Sequence, residues 1–337
     1  MAPGIDVVIV AYNRYELTAS CLRHLAAQTL EHHVIVVDNG STDETRVRLR
    51  AEWPGVQLVC LDENHGFPEA CNLGVATGSN EIVVLLNNDV DVRPGFLERV
   101  TAPLQATDVG SVAGLLLQRD GELIDGIGFA VDVTLAAFSR LQGLPAAQAG
   151  SESPLLLGPG GAATAYRRVA WEEVDGLDET LAFYMDDVDL AIRLRLAGWR
   201  SVTAPDAVAI HLRSGTLGAD PAQQRRYGGF GRGYVLRRYG LLRRRTALRT
   251  LSTETIVVLA DMAISRDLAA LEGRIAGWRA ARGKPRLGLP PADAIDHTIS
   301  FRSSLALRWQ TYALQRQDRR RRRDIGEQAH PTTAVGA

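Results

Sequence analysis

The stretch EIVVLLNNDVDVRPG, residues 81–95, is nearly continuously apolar as far as Leu86 and then stops at Asn87, Asn88, Asp89 and Asp91. A strand without apolar–polar alternation is one covered on both faces, the condition of a parallel sheet between layers of helix. Three earlier runs are built alike: IDVVIVAY at 5–12, HVIVVD at 33–38 and VQLVCL at 56–61 are rich in β-branched residues, with segments of helical period between them. Strands alternating with helices predict βαβ units, so the first half is an α/β structure. Ligands of such sheets bind beyond the carboxyl ends of the strands. Asp38 and the 87–91 group both fall at that edge.

Helix signals agree with this reading. STDE at 41–44 has the form of a capping box opening a helix behind the second strand, and RPG at 93–95 leads into FLERVTAPL. From Gly110 the pattern loosens into short strand-like pieces with glycine turns, ending in LLLGPGGAATAYRR. A helix is predicted at RRVAWEEV and another at DDVDLAIRLRLAG, where Val188, Ala191, Ile192 and Leu196 share one face and Gly198 stops the element.

The 337 residues can bury a large core with an appendage. Cys21, Cys60 and Cys71 are too few and too irregularly spaced for a disulfide framework or a zinc site, so a reducing compartment is expected. The opening MAPGIDVVIVAYNR lacks the basic start and the long apolar core of a secretory signal. The run IVVLADMAI falls well short of the ~20 residues that cross a bilayer. A cytoplasmic protein, soluble or peripheral on the cytoplasmic membrane face, is the expectation.

The net charge of −1 conceals a division: residues 1–212 carry 14 basic and 29 acidic side chains, and residues 213–337 carry 24 and 10. An acidic body thus precedes a basic segment, in which arginines are interspersed with Tyr227, Phe230, Tyr234 and Tyr239. That segment suits phosphate groups or an anionic membrane surface; the acidic body disfavours nucleic acid. With one lysine among 38 basic residues, part of this pattern is compositional bias.

The first strand ends in AYNRYEL, without G-x-G-x-x-G, which disfavours a dehydrogenase. Carboxylates beside amides at a strand end can hold Mg2+ or Mn2+ through hard oxygen ligands, although a lone D-x-D is more often a turn with Asx caps. In MDDVDL, Asp186 and Asp187 suit the first turn of a helix through its dipole, and Asp189, four residues before Arg193, suits an ion pair. GPGGAA is either a tight turn or a place where a side chain would obstruct a ligand. Trp199 is either core or a platform for a sugar.

Taken together, VVIVAYNR, VVDNGSTD, ENHGFPEACNLGVATG, LLNNDVDVRPGFL, GPGGAATAYRR, VDGLDETLAFYMDDVDLAIRLRLAGW and APDAVAIH resemble the inverting family 2 glycosyltransferases, in particular their rhamnosyltransferase-like branch. The resemblance spans residues 5 to about 215, in order. It implies a GT-A fold: a Rossmann-like, mostly parallel twisted sheet with helices on both faces. The expected division is a GT-A domain at 1–217, with a nucleotide-binding part to about 110 and an acceptor-binding part after it, then a basic helical extension at 218–323 and a disordered tail at 324–337.

By that resemblance Asp38 contacts the nucleoside, with Ala11, Tyr12 and Asn13 lining the same pocket, and Asn64, Gly66 and Asn72 frame the donor. Pro68 and Glu69 depart from the small residues common there. Asp89 aligns with the metal-binding aspartate, with Asn88 beside it against the donor; Asn87 replaces the first acidic position, Asp91 adds a carboxylate and His211 lies near the metal. The resemblance puts Asp187 in the place of the catalytic base and Asp186 in that of the preceding glutamate, with Gly160, Gly161, Asp186 and Trp199 toward the acceptor. The implied reaction moves a sugar, L-rhamnose by the branch resembled, from a nucleotide diphosphate donor to a saccharide, lipid-linked or small-molecule acceptor. A sugar-nucleotidyltransferase and a catalytically silent saccharide-binding protein remain as alternatives.

Overall fold

The structure is a computed structural model that describes residues 3–150, 155–212 and 220–324; the expected boundary near Leu217 and the tail beyond Asp324 lie outside the described residues. The chain opens with β1 (Ile5–Ala11), α1 (Tyr15–Ala26), β2 (His33–Asn39), α2 (Thr45–Glu52), β3 (Gln57–Leu61), α3 (Phe67–Thr77) and β4 (Ile82–Asn87). It continues with β5 (Val90–Val92), α4 (Phe96–Thr101), β6 (Val109–Leu117), β7 (Ile124–Gly126), β8 (Phe129–Val131) and β9 (Ala137–Ser139). Next come β10 (Ala163–Arg167), α5 (Arg168–Glu173), α6 (Asp186–Leu196) and β11 (Arg200–His211). The helices α7 (Pro221–Arg238), α8 (Ala247–Ser265), α9 (Ala269–Ala280) and α10 (Phe301–Asp324) follow.

One mixed sheet has the order β3-β2-β1-β4-β10-β6-β11-β5, with β7 on β6. The pairs β1–β2, β1–β4, β2–β3 and β6–β11 are parallel, and β10 runs antiparallel between β4 and β6. The carboxyl ends of β4, β6 and β11 therefore share one edge, and β10 enters the sheet from it. Apolar residues alternate between two covered faces. Val7, Ile9, Val36, Val84 and Leu86 meet Leu22 and Leu25 of α1 and Phe96 of α4, whereas Val8, Ile35, Val83 and Leu85 meet α3, α5 and α6 through Val75, Trp171 and Leu190. Each such burial stabilises the fold by roughly 1.5–3 kcal/mol, which is why the strands show no polar alternation.

One sequence expectation changes. The capping box does not form: the Ser41 hydroxyl accepts the Asn13 amide at 2.8 Å, and Asp43 takes the Thr45 amide at 2.9 Å as α2 begins. Ser41 thus ties the β1 turn to the β2 turn instead of capping a helix. One apolar cluster joins Val188 and Ile192 of α6 to Val235 of α7 and to Tyr239 just after it. The Tyr239 hydroxyl also donates to Asp189 at 2.6 Å.

Candidate active site

The loop into α6 carries two successive residues in the left-handed region, Tyr184 (φ 64°) and Met185 (φ 68°), neither of them glycine. Backbone strain of this kind persists only where neighbours hold it, and it clusters at functional sites. It delivers Asp186 and Asp187 to the first turn of α6 at the carboxyl edge of the sheet. The Asp187 carboxylate accepts the Gly161 amide at 3.3 Å and the Val188 amide at 2.8 Å. The surrounding protein desolvates it and pushes its carboxyl up to about 6, against the pull of those amides. Asp186 is held well above the usual range, by burial first and by the charge of Asp187 second. Side-by-side carboxyls in such a place share protons as a pair, and Asp187, the more easily ionised, is suited to accept one.

Glycines open the space beside it. A Cβ on Gly160 would lie 3.1 Å from the Phe129 ring and 3.8 Å from an Asp187 oxygen. Gly160 and Gly161 thus lie beside Asp187, just before β10.

A second cluster lies at the end of β4. The His211 Nδ1 is 2.7 Å from Asp125 and its Nε2 is 3.4 Å from Asp89, which is 5% exposed. Burial alone would lower the His211 pKa, but the two carboxylates outweigh it and push it up to about 10. Two carboxylates converging on one ring mark a place arranged for positive charge, and a cation bound there would take the place of the Nε2 proton. The donor set fits a hard divalent cation: Asp89 supplies a carboxylate oxygen, His211 a nitrogen whose ring is oriented by Asp125, and phosphate oxygens of a substrate would fill the remaining positions. Among the described residues no group of three or more His, Cys, Asp or Glu side chains could hold a metal ion, so a cation here depends on substrate oxygens. The buried Asn87 Oδ1, without a hydrogen-bond partner, lies at the same strand end.

Asp91 does not join this cluster. Its partners are Ser20 at 3.0 Å and His24 at 3.3 Å, both on α1. Asp89 lies in the turn before β5, and the antiparallel register sets Val90 opposite His211 and Asp91 opposite Ile210, so Asp91 and His211 leave the ribbon on opposite faces.

At the β1–β2 edge, Ala11 lies beside Asp38 in register, with Tyr12 and Asn13 following. Asp38 is fully buried and bonded to Arg46 at 2.6 Å and to the Ser41 amide at 3.3 Å. Asn13, at φ 54°, accepts the Thr42 amide at 2.8 Å. Asn39 clasps the 64–66 loop, donating to Asn64 at 3.2 Å and to the Gly66 carbonyl at 3.0 Å. These residues gather on one edge.

Three others do not. Asn72 is turned to the loop before α6, donating to Leu177 at 2.9 Å and to Glu179 at 3.0 Å. Asn88 is buried and donates to Thr18 of α1 at 3.2 Å. Trp199 precedes β11 and so lies at the amino edge of the sheet, packed on Gly110 and bonded to Glu173 at 2.7 Å, the whole length of α6 away from Asp187. There it packs, half-buried, against the cluster of Tyr166, Trp171 and Leu194. The sequence reading missed Asp125, Tyr184 and Met185; only the glycine spacing of ELIDGIG hinted at the first, and no local signal marks the other two.

The Glycosyl transferase family 2 profile matches residues 6–126, and that of Glycosyl transferase family group 2 matches residues 141–278. The N-acetylglucosaminyl-diphospho-decaprenol L-rhamnosyltransferase of Mycobacterium tuberculosis is 30% identical over 250 residues, which is 64% of this chain and 80% of that protein. The O-antigen biosynthesis protein RfbC of Myxococcus xanthus is 29% identical over 242 residues, 67% of this chain, and the matched part is 18% of that longer protein. Among solved structures, GalNAc-T7 with UDP, GalNAc and Mn2+ superposes with a TM-score of 0.56 at 13% identity, covering 75% of this chain and 50% of that one. The mannosyltransferase PcManGT of Pyrobaculum calidifontis, with GDP-Man and Mn2+, gives 0.51 at 20% identity, covering 93% and 80%. The structural likeness shows the fold and the sequence likeness the lineage: the chain belongs to glycosyltransferase family 2 and has the GT-A fold.

Proposed function

We propose that the protein is an inverting glycosyltransferase that moves L-rhamnose from a nucleotide diphosphate donor to a hydroxyl of a saccharide or lipid-linked acceptor, with Asp187 as the base. The observation that carries this reading is the Asp187 carboxylate, oriented by the Gly161 amide and kept basic by its surroundings at the sheet's carboxyl edge. Asp187 takes the acceptor hydroxyl proton as that oxygen bonds to the anomeric carbon, and the carbon–oxygen bond to the diphosphate breaks with its electron pair leaving on the nucleoside diphosphate. Gly160 and Gly161 leave room for the sugar. Asp38, Ala11, Tyr12 and Asn13 face the nucleoside, and Asn64 and Gly66 border the donor.

Asp89 and His211 would hold Mg2+ or Mn2+, which when bound supplies Lewis-acid charge to the leaving diphosphate. Rhamnose as the sugar and a lipid-linked acceptor are supported by the M. tuberculosis relative's name; a cytoplasmic location belongs to the same proposal. The purified protein should release a nucleoside diphosphate from its donor only with acceptor, and Asp187→Asn should lower kcat by roughly 10²–10⁴ while nucleotide binding persists. Pyrophosphate release would favour a nucleotidyltransferase. Full turnover in Asp187→Asn would remove it as the base, and saccharide binding with no turnover across a donor panel would favour the silent binding protein.

A further inference from the structure

We propose that the solvent face of α8 docks on an anionic lipid bilayer, holding the protein on the membrane surface without crossing it. The inner face of this helix is occupied by protein. Thr250 and Thr253 are buried, and Glu254 is gripped by Arg232 of α7 at 2.7 Å, Arg274 of α9 at 3.0 Å and Arg308 of α10 at 3.4 Å. Anchorage to three helices fixes which side of α8 turns outward.

That outward side is apolar. Leu248, Leu251, Ile256 and Leu259 are 81%, 55%, 43% and 58% exposed. The spacing of the first four keeps to the helical repeat, so they form a stripe along an element of 19 residues, ~28 Å long at 1.5 Å per residue. Scattered exposed leucines are ordinary, but an apolar stripe running along a helix marks a contact surface.

Charge selects the occupant. Arg243 and Arg245 are exposed just before α8 and Arg266 just after it. The exposed polar residues beside the leucines, Ser252 and Thr255, carry no charge. The two acids of the helix face arginines of α7 instead, Glu254 toward Arg232 and Asp261 toward Arg225 at 3.5 Å. Residues 213–337, which contain this helix, carry 24 basic and 10 acidic side chains, against 14 and 29 in residues 1–212, so an anionic surface attracts the segment that carries α8 and repels the body. Basic groups bordering an apolar face are the signature of a helix lying in the headgroup plane. No helix among the described residues is long and apolar enough to cross a membrane.

The inference stands apart from the sugar-transfer reading, and its test needs no substrate. The full chain should co-sediment with vesicles of phosphatidylcholine containing phosphatidylglycerol, and not with phosphatidylcholine alone, and binding should weaken as salt rises. Leu248→Glu combined with Leu259→Glu should weaken the partition roughly tenfold or more with an unchanged circular dichroism spectrum. Arg243→Gln with Arg245→Gln, which touches no apolar contact, should weaken it less and flatten the salt dependence. No binding to anionic vesicles, or binding that both variants retain, overturns the proposal. A dimer that the leucine variant dissolves, without vesicle binding, would assign the stripe to a second copy of the chain.

Discussion

Asp187 must be an anion to take a proton, yet its surroundings hold the carboxyl up to about 6. The base form is lost as the pH falls through that value, so kcat/KM should climb from the acid side to a plateau above about pH 6, and the limb should vanish with the activity in Asp187→Asn. A flat profile down to pH 4 would place the working base elsewhere. His211 depends on Asp125, the group that fixes its ring. Asp125→Asn should weaken Mn2+ binding in the presence of nucleoside diphosphate by roughly 10–100-fold, measured by calorimetry; unchanged affinity would leave Asp125 a packing residue. Asp89 and Asp187 were legible because short motifs surround them. Asp125 was not, because a lone aspartate on a three-residue strand acquires its meaning only from the histidine that the fold brings to it.

At the scale of elements, α7 supports the strained loop of the site. A Cβ on Gly231 would come within 2.6 Å of the Tyr184 carbonyl oxygen, so Gly231→Ala should displace the loop that aims Asp187 and lower kcat beyond what any loss of folded protein accounts for. Further along, a Cβ on Gly277 of α9 would lie 1.9 Å from the Phe230 carbonyl oxygen of α7. Gly277→Ala therefore forces the helices apart. Its overpacking cost of roughly 1–3 kcal/mol should exceed the ~1 kcal/mol gained in helix propensity, and calorimetry should show a lower Tm. The four early strands were readable because burial on both faces writes an uninterrupted apolar run. The capping box misread the entry to α2 because Ser41 had a better partner across the β1 turn than within its own helix.

For the whole molecule, two buried carboxyls respond to pH in opposite directions, and one of them joins the body to the helical extension. Asp178, ahead of α6, is bonded to Tyr234 of α7 and to Lys284, the chain's one lysine, at 2.9 Å. Burial would raise its pKa, but these hydrogen bonds win and hold it down at about 2, so its stabilisation is present above the ordinary carboxylate pKa and is lost as acid approaches pH 2. Asp187 acts the other way. Its raised pKa gives a contribution that is full below about pH 4 and lost as the pH rises through about 6. Asp187→Asn should therefore be more stable than the parent at pH 7, by roughly 1–3 kcal/mol, with the gap closing near pH 4 in denaturant titrations. By itself the sequence determined the α/β layering, the order of the strands along the chain, the helix at 186–196 and the positions of Asp89 after β4 and Asp187 in the first turn of α6, because periodicity and short motifs are local properties. Only the tertiary structure decided that Asp125 orients His211, that Asp91, Asn72, Asn88 and Trp199 turn away from the site, and that α7 shares the core of the body. Each of those depends on which face of a strand or which end of a helix a residue occupies once the register of β5 with β11 and the packing of α6 on α7 are set.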